Sequence, residues 1–466
     1  MQAFVFYTKN NNYYLYSPVQ KRFHVIPHET YLAIKSGNLA SNLLAKSFYD
    51  FGYLDELTPN YNHKVCADDI IISLANVPQI VFEVTTNCNL ACKYCCYGDC
   101  YNTFSNRKAG SLKIDYAKFL LNYISELCHS VNNTNVSAPL VLSFYGGEPL
   151  LNFALIEDII NYAKTLSFPG RFLKFSLTTN ATLLSKYIDF LYENDFSLLI
   201  SLDGDKNNNS YRKFKNGEEA FESIIENLNF VKLKYPDYFK KIRFNSVYTN
   251  LSDTNQLFTF FTKNFDRIPT LSPLHTDDSD QVFESLHKMR KNINMPSSEW
   301  YDLYPNSFLE VPIHKKIVQL LMYMSDSLHY NEHTFIESFN TKSTFPTHTC
   351  IPFSKRLFLT FDGYIIPCEK VNRDNPLGYI TNNKVDINFE AIADFFNKTV
   401  EKYKAQCAQC ALQQICNHCA FTASLQSACP EFKFQDSISN VLGDVFSYIE
   451  DNPQVLKKIY DNIILR

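Results

Sequence analysis

The sequence predicts an α/β fold, and three observations carry that expectation. From Gln79 onward, short apolar runs alternate with helix-period segments, as repeated β-α units and a parallel sheet require. The cysteines gather in one group between Cys88 and Cys100 and a second between Cys350 and Cys429, with none between Cys128 and Cys350. Two metal-binding regions separated by a cysteine-free core are implied. The 466 residues, 45% hydrophobic, suffice to bury a large core in two or three domains. Six β-α units would form an open, partial (β/α)6 barrel of TIM type, with functional loops at the carboxyl ends of its strands. A small N-terminal α+β domain is expected before it and a C-terminal cysteine-rich metal-binding domain after it.

Residues 1–76 carry aromatic strand-like runs at Ala3–Tyr7 and Tyr13–Tyr16, then helix-like stretches at His28–Lys35 and Leu39–Asp50. The barrel, 77–275, takes its strands from Gln79–Thr85, Leu140–Tyr145, Phe172–Thr178, Ser197–Leu202, Ile242–Tyr248 and Arg267–Ser272. Between them, Asp115–His129 places Phe119, Leu120, Tyr123, Ile124 and Leu127 on one face, and Ala220–Leu233 does so with Ile224, Ile225, Leu228 and Val231. A polar bridging region, 276–349, holds one helix, Ile313–Leu328, whose apolar stripe of Ile317, Leu320, Leu321 and Met324 suits core packing. The cysteine-rich segment spans 350–430, and a C-terminal helix occupies 431–466.

A formal net charge of −4, from 44 basic and 48 acidic residues mixed along the chain, offers no basic face for phosphates, so nucleic acid is excluded as a partner. No apolar run approaches the roughly 18 residues that span a bilayer, and Met1–Asn10 lacks the basic start and apolar core of a signal peptide. A cytoplasmic location without membrane contact is expected. Fourteen cysteines in a chain of this size fit metal binding better than a disulfide framework.

The run Cys88-Asn89-Leu90-Ala91-Cys92-Lys93-Tyr94-Cys95 directly follows the first barrel strand. Three thiolates can hold three irons of a [4Fe–4S] cube and leave the fourth open for chemistry. A structural zinc site would close its shell with four ligands. Tyr145-Gly146-Gly147-Glu148-Pro149 ends the second strand, and there paired glycines allow close backbone approach while a carboxylate suits an ammonium group. Thr179-Asn180-Ala181-Thr182 and Ser201-Leu202-Asp203-Gly204 end the third and fourth. The CxxxCxφC spacing, with Tyr94 at φ, resembles the radical S-adenosylmethionine (SAM) superfamily, and the three strand ends resemble its GGEP, TNGT-type and S-x-D-G segments. Ala181 stands where the family usually has glycine.

The resemblance implies that Cys88, Cys92 and Cys95 hold the SAM cluster. It also implies that Gly146, Gly147, Glu148, Asn180, Ser201 and Arg212 contact SAM, with Tyr94 against the adenine. Cys350, Gly363, Cys368, Cys407-x2-Cys410-x5-Cys416-x2-Cys419 and Cys429 resemble the seven-cysteine SPASM pattern, which binds two auxiliary [4Fe–4S] clusters. Family arrangement assigns Cys407, Cys410, Cys416 and Cys429 to one cluster and Cys350, Cys368 and Cys419 to the other. The latter either keeps an open iron or takes a non-cysteine ligand such as His348 or His418. Glu369 stands where sulfatase maturases carry an acidic residue that takes a proton from substrate. Cys66, Cys96, Cys100 and Cys128 receive no role.

A zinc ribbon would explain CxxC-x5-CxxC alone and leave the barrel motifs without a purpose. The activity implied is a radical SAM SPASM-domain oxidoreductase with three [4Fe–4S] clusters and SAM, which makes a 5′-deoxyadenosyl radical, takes a hydrogen atom from a substrate residue and oxidises the resulting radical. A ribosomally made peptide, crosslinked or given a thioether, is the expected substrate, with a reductant such as flavodoxin or ferredoxin as electron source. The N-terminal domain resembles peptide-recognition elements joined to such enzymes, and the alternative for it is a structural cap on the barrel. The alternative is an anaerobic sulfatase maturase that makes formylglycine from Cys or Ser.

Overall fold

The computed structural model describes residues 3–57, 61–95, 97, 108–274, 283–294, 300, 311–325, 345–347, 349–371, 373–381, 384–411, 416, 418–421, 429 and 435–464. Of the residues named above, Cys96, Cys100, His348 and the end of the expected 313–328 helix lie outside them. The chain divides into two units, one of 1–64, 298–349 and 397–466, the other of 65–297 and 350–396. This division differs from the five consecutive segments expected, because sequence-distant pieces pack together and the cysteine-rich stretch is split.

The first unit opens with an antiparallel sheet of β1 (Phe4–Tyr7), β2 (Tyr13–Ser17) and β3 (Arg22–Ile26), followed by helices His28–Ser36 and Leu43–Asp50. Asn42 starts the second of these by accepting from the Ala45 amide, at 2.9 Å, one of the donors a helix start leaves unpaired. The sheet's other face is covered by the helix Gln435–Asp451, where Phe446 lies 5.1 Å from Phe6 and 4.9 Å from both Tyr14 and Phe23, centroid to centroid. Hydrogen bonds from Tyr14 to Glu450 (2.7 Å) and from the Lys9 amide to Ser447 (2.9 Å) complete the join. The single C-terminal helix expected is broken at Asn452-Pro453, since the residue before proline leaves the helical region, and resumes as Val455–Ile464. The bridging helix runs Pro312–Gln319 and passes into a π-turn, Leu320–Met324.

The second unit is built on a 10-stranded sheet ordered β13-β12-β11-β10-β4-β5-β6-β7-β8-β9. Its parallel strands are β4 (Gln79–Thr85), β5 (Ala138–Gly146), β6 (Arg171–Thr179), β7 (Ser197–Ser201), β8 (Arg243–Tyr248) and β9 (Thr270–Pro273). Helices Ile114–Cys128, Phe153–Ala163, Leu184–Glu193, Phe221–Lys234 and Thr254–Phe265 lie between successive strands and bury their apolar stripes. The expected β-α series is therefore present. Its sixth strand begins at Thr270 rather than Arg267, because the preceding helix ends on Asp266 in the left-handed region (φ 55°) and Arg267 bonds back to the carbonyls of Phe265 and Ile242.

Four short strands were not foreseen: β10 (Leu357–Leu359), β11 (Tyr364–Ile366), β12 (Gly378–Thr381) and β13 (Lys384–Asp386). Of these, β10 pairs parallel with β4, and the rest continue antiparallel. The attachment is fastened by a buried ion pair. Arg373 reaches Glu83 of β4 at 2.6 Å, and the Glu83 carboxylate, 1% exposed, also accepts from the Phe361 amide at 3.1 Å. Replacing Arg373 with Met should leave that carboxylate buried without its cation and cost about 3 kcal/mol. A fall of several degrees in the thermal unfolding midpoint checks this, and an unchanged midpoint contradicts it.

Candidate functional site

The carboxyl ends of β4 to β8 bring the predicted barrel residues together. After β4 the chain enters the cysteine loop, which does not stand alone. It pairs in antiparallel fashion with the segment after β7: Ala91 N–H donates to Lys213 O (2.7 Å), Lys93 N–H to Tyr211 O (3.1 Å) and Lys215 N–H to Asn89 O (3.2 Å). This register sets Arg212 beside Cys92, with Nη1 3.9 Å from Sγ.

Cys88, Cys92 and Cys95 form one group of thiols, each within electrostatic reach of the others. Burial pushes the Cys92 thiol up to about 12, with Arg212 pulling the other way. Burial likewise raises Cys88, opposed by the Leu90 amide, which donates to its sulfur at 3.4 Å. Asn180 Nδ2 adds a second donor to that sulfur at 3.8 Å. N–H donors at the Cys88 sulfur and a guanidinium beside that of Cys92 fit an anionic thiolate-held cluster. Among the described residues no three His, Cys, Asp or Glu side chains are drawn in tightly enough for a single metal ion.

Gly146 and Gly147 serve a close approach, made to protein backbone. A Cβ on Gly146 (φ 140°) would lie 2.1 Å from Thr85 O, and one on Gly147 2.1 Å from Asn87 O. In their absence Gly147 N–H reaches Thr85 O (2.8 Å) and Glu148 N–H reaches Asn87 O (2.7 Å), which seals the end of β5 against the start of the cysteine loop. Glu148 is buried and accepts from Thr179 Oγ1 (2.7 Å), Asn180 N–H (2.8 Å) and Leu150 N–H (3.1 Å). Burial raises its carboxyl to about 7 and those donors oppose the rise. An added cation against it would draw it further toward the carboxylate.

The turn after β6 keeps a left-handed residue although that residue is alanine: Ala181 has φ 63° and is fully buried. Side-chain bonds hold it there. Thr179 Oγ1 accepts from Ala181 N–H, and Asn180 Oδ1 from Thr182 N–H, both at 3.0 Å. Asn180 and Thr182 both reach Asn89 of the cysteine loop, at 2.9 and 2.8 Å.

Asp203 lies two residues beyond β7, in the Ser201–Gly204 segment. Its carboxylate accepts from Arg212 Nε (2.9 Å) and Nη2 (3.1 Å), Val247 N–H (3.0 Å) and the Tyr94 hydroxyl. The Tyr94 ring packs among Leu274, Leu286 and Met289, with the Arg212 guanidinium 5.4 Å from its centroid. A buried arginine needs a counter-ion, and an acid nine positions earlier at a strand end was the available signal. Ser201 closes β7 opposite Asn245.

In the first unit, Cys407, Cys410, Cys416 and Cys429 are gathered within electrostatic reach, and burial pushes Cys407 up to about 12. Tyr61, which sequence reading passed over, is buried beside three of them and its hydroxyl is raised by that burial. Cys419 and His418 belong to this unit, Cys350 and Cys368 to the second. Glu369 is paired with Arg356, whose Nη1 lies 3.1 and 2.9 Å from the two carboxylate oxygens.

Comparison with known proteins agrees with this geometry. Residues 82–245 match the Radical SAM superfamily, so the chain carries a radical SAM domain. An uncharacterized protein of Methanocaldococcus jannaschii is 31% identical over 155 residues, 33% of this chain and 48% of its own. The match thus spans about half of that relative. A cysteine-type anaerobic sulfatase-maturating enzyme of Clostridium novyi is 24% identical over 74% of this chain and 87% of its own, and the radical SAM cyclopropyl synthase TigE of Paramaledivibacter caminithermalis is 25% identical over 45% and 44%. The fold matches that of native anSMEcpe with bound AdoMet, with TM-score 0.53 and 17% identity over 82% of this chain and 99% of that one. Among the described residues no helix is long and apolar enough to cross a membrane.

Ala181 tests the turn. Its left-handed backbone costs roughly 1–2 kcal/mol. Ala181→Gly removes that strain, but glycine's added freedom costs about 0.5–1 kcal/mol and the lost buried methyl about 0.8. Its stability in urea should therefore stay within about 1 kcal/mol of the parent. Ala181→Val, β-branched at the same φ, should lose more than about 2 kcal/mol.

Proposed function

We propose that the radical SAM domain of this chain activates SAM at a cluster held by Cys88, Cys92 and Cys95 and that the protein oxidatively modifies a residue of a ribosomally made peptide. The convergence of those three thiols with the buried Glu148 at the end of β5 carries the reading. With SAM bound, a reduced cluster there supplies the electron that releases methionine and a 5′-deoxyadenosyl radical.

The residues of the chain divide the remaining work. Glu148, already fixed by Thr179, Asn180 and Leu150, accepts the ammonium of the SAM methionine. Gly146 and Gly147 keep that carboxylate next to the cysteine loop. Asn180 holds the loop through Asn89, while Ser201 and Arg212 face the methionine carboxylate from the end of β7 and the segment beyond, and Tyr94 borders the adenine side. Cys407, Cys410, Cys416 and Cys429 hold one auxiliary cluster. We place the enzyme in the cytoplasm, served by a flavodoxin or ferredoxin. The sheet β1–β3 offers an edge strand as a docking place for an extended peptide.

Formylglycine formation is the second reading. It is favoured by the sulfatase-maturating relative, which matches over most of both chains, and by Glu369 directly after Cys368. Glu369 would act as general base only once its carboxylate is released from Arg356.

Anaerobic, reconstituted protein given dithionite and SAM is expected to release 5′-deoxyadenosine, and failure to do so with the iron loaded would sink the proposal. Peptides encoded beside the gene should lose two hydrogens without gaining an aldehyde. A product trapped by a hydrazide probe selects the second reading instead. Glu148→Gln should weaken SAM binding at least tenfold with iron content unchanged, as measured by equilibrium dialysis.

A further inference from the structure

We propose that Asp203 is a positioning residue that turns the Arg212 guanidinium toward Cys92, and that Arg212 thereby raises the reduction potential of the cluster held by Cys88, Cys92 and Cys95. This rests on the cluster reading given above and adds a role for Arg212 beyond contact with SAM.

Arginine presents five donors in a rigid plane. Asp203 occupies one edge of that plane, taking Nε at 2.9 Å and Nη2 at 3.1 Å. The opposite nitrogen, Nη1, is left 3.9 Å from Cys92 Sγ. Neither partner is free to turn. Asp203 is held by the Val247 amide (3.0 Å) and the Tyr94 hydroxyl, and its own carbonyl accepts from Ser246 Oγ at 3.1 Å. Arg212 is flanked by Tyr211 and Lys213, both paired with the cysteine loop, and its amide donates to Asn209 O at 2.8 Å. One carboxylate thus grips the loop through Tyr94 and aims a cation at the same loop through Arg212.

The pair is neutral as a whole, but it is a dipole whose positive end meets the sulfur. Its side chains are only 8% and 1% exposed, so water screens it little. One-electron reduction by an external donor such as dithionite adds a negative charge to a cluster that three thiolates already make anionic, with no bond formed or broken. A cation and an N–H donor at a ligand sulfur stabilise that added charge, and hydrogen bonds to sulfur together with net charge are the levers that set such potentials.

The test is a potentiometric titration followed by electron paramagnetic resonance without SAM, on the signal that Cys92→Ala abolishes. At the potential where the parent is half reduced, Arg212→Gln should show a reduced-to-oxidised ratio about tenfold lower, a 59 mV shift for one electron. Arg212→Lys, which keeps the charge but not the fork, should fall between the two. Asp203→Asn addresses positioning: the exchangeable-proton coupling seen by electron–nuclear double resonance at the reduced cluster should be lost while iron content holds. Midpoints equal to the parent's in both Arg212 variants overturn the proposal, even if their SAM affinity falls, since Arg212 is then a SAM contact alone. An unchanged proton coupling in Asp203→Asn overturns the positioning role. Parent protein with no reducible signal dependent on Cys92 overturns the cluster reading itself, which is a separate result.

Discussion

A charge removed from water has to find donors, and at the strand ends of this barrel that requirement decides what sits next to what. Glu148 and Asp203 are both about 1% exposed. Each collects several hydrogen bonds from elements far apart in sequence: Glu148 from its own turn and the end of β6, Asp203 from the cysteine loop, β8 and Arg212. Leaving either acceptor unpaired would cost several kcal/mol, more than most single contacts contribute. The loop carrying Cys88, Cys92 and Cys95 is therefore held from two sides, through Asn89 toward Glu148's neighbours and through Tyr94 toward Asp203.

The same logic extends to the other edge of the sheet. β10 adds a further parallel strand beside β4, and the Glu83–Arg373 pair fixes it there. Phe361 fills the space that a side chain at Gly110 would need, with a Cβ there falling 2.3 Å from the ring. Cys368 follows β11 by two residues, and Cys88 follows β4 by three. Two thiols far apart in the chain thus follow two strands of one hydrogen-bonded sheet, the strands that flank β10 on either side, and sliding one strand there would break many bonds together.

Much of this was legible in the residues. Strands β4 to β8 announced themselves because buried parallel strands read as continuous apolar runs, and the cysteine, GGEP and S-x-D-G segments lie at their ends as a parallel β-α series requires. β10 to β13 were not legible, since three or four residues are too few to show a period. Asp203 escaped because its importance lies in partners 9, 44 and 109 positions away, which no local pattern reveals. Ala181 shows the converse: the usual glycine is missing, yet Thr179 and Asn180 side chains impose the left-handed turn on the alanine that replaces it.

The join between β1–β3 and the helix Gln435–Asp451 has a consequence for how the polypeptide is born. Asn10 meets Glu450 across 440 positions, so the aromatic face of Phe6, Tyr14 and Phe23 emerges from the ribosome long before Phe446 exists to cover it. Through most of synthesis that aromatic face lacks the helix that covers it in the folded chain, and exposed apolar surface of this kind favours aggregation. The barrel, whose strands pair with sequence neighbours, can close in the meantime.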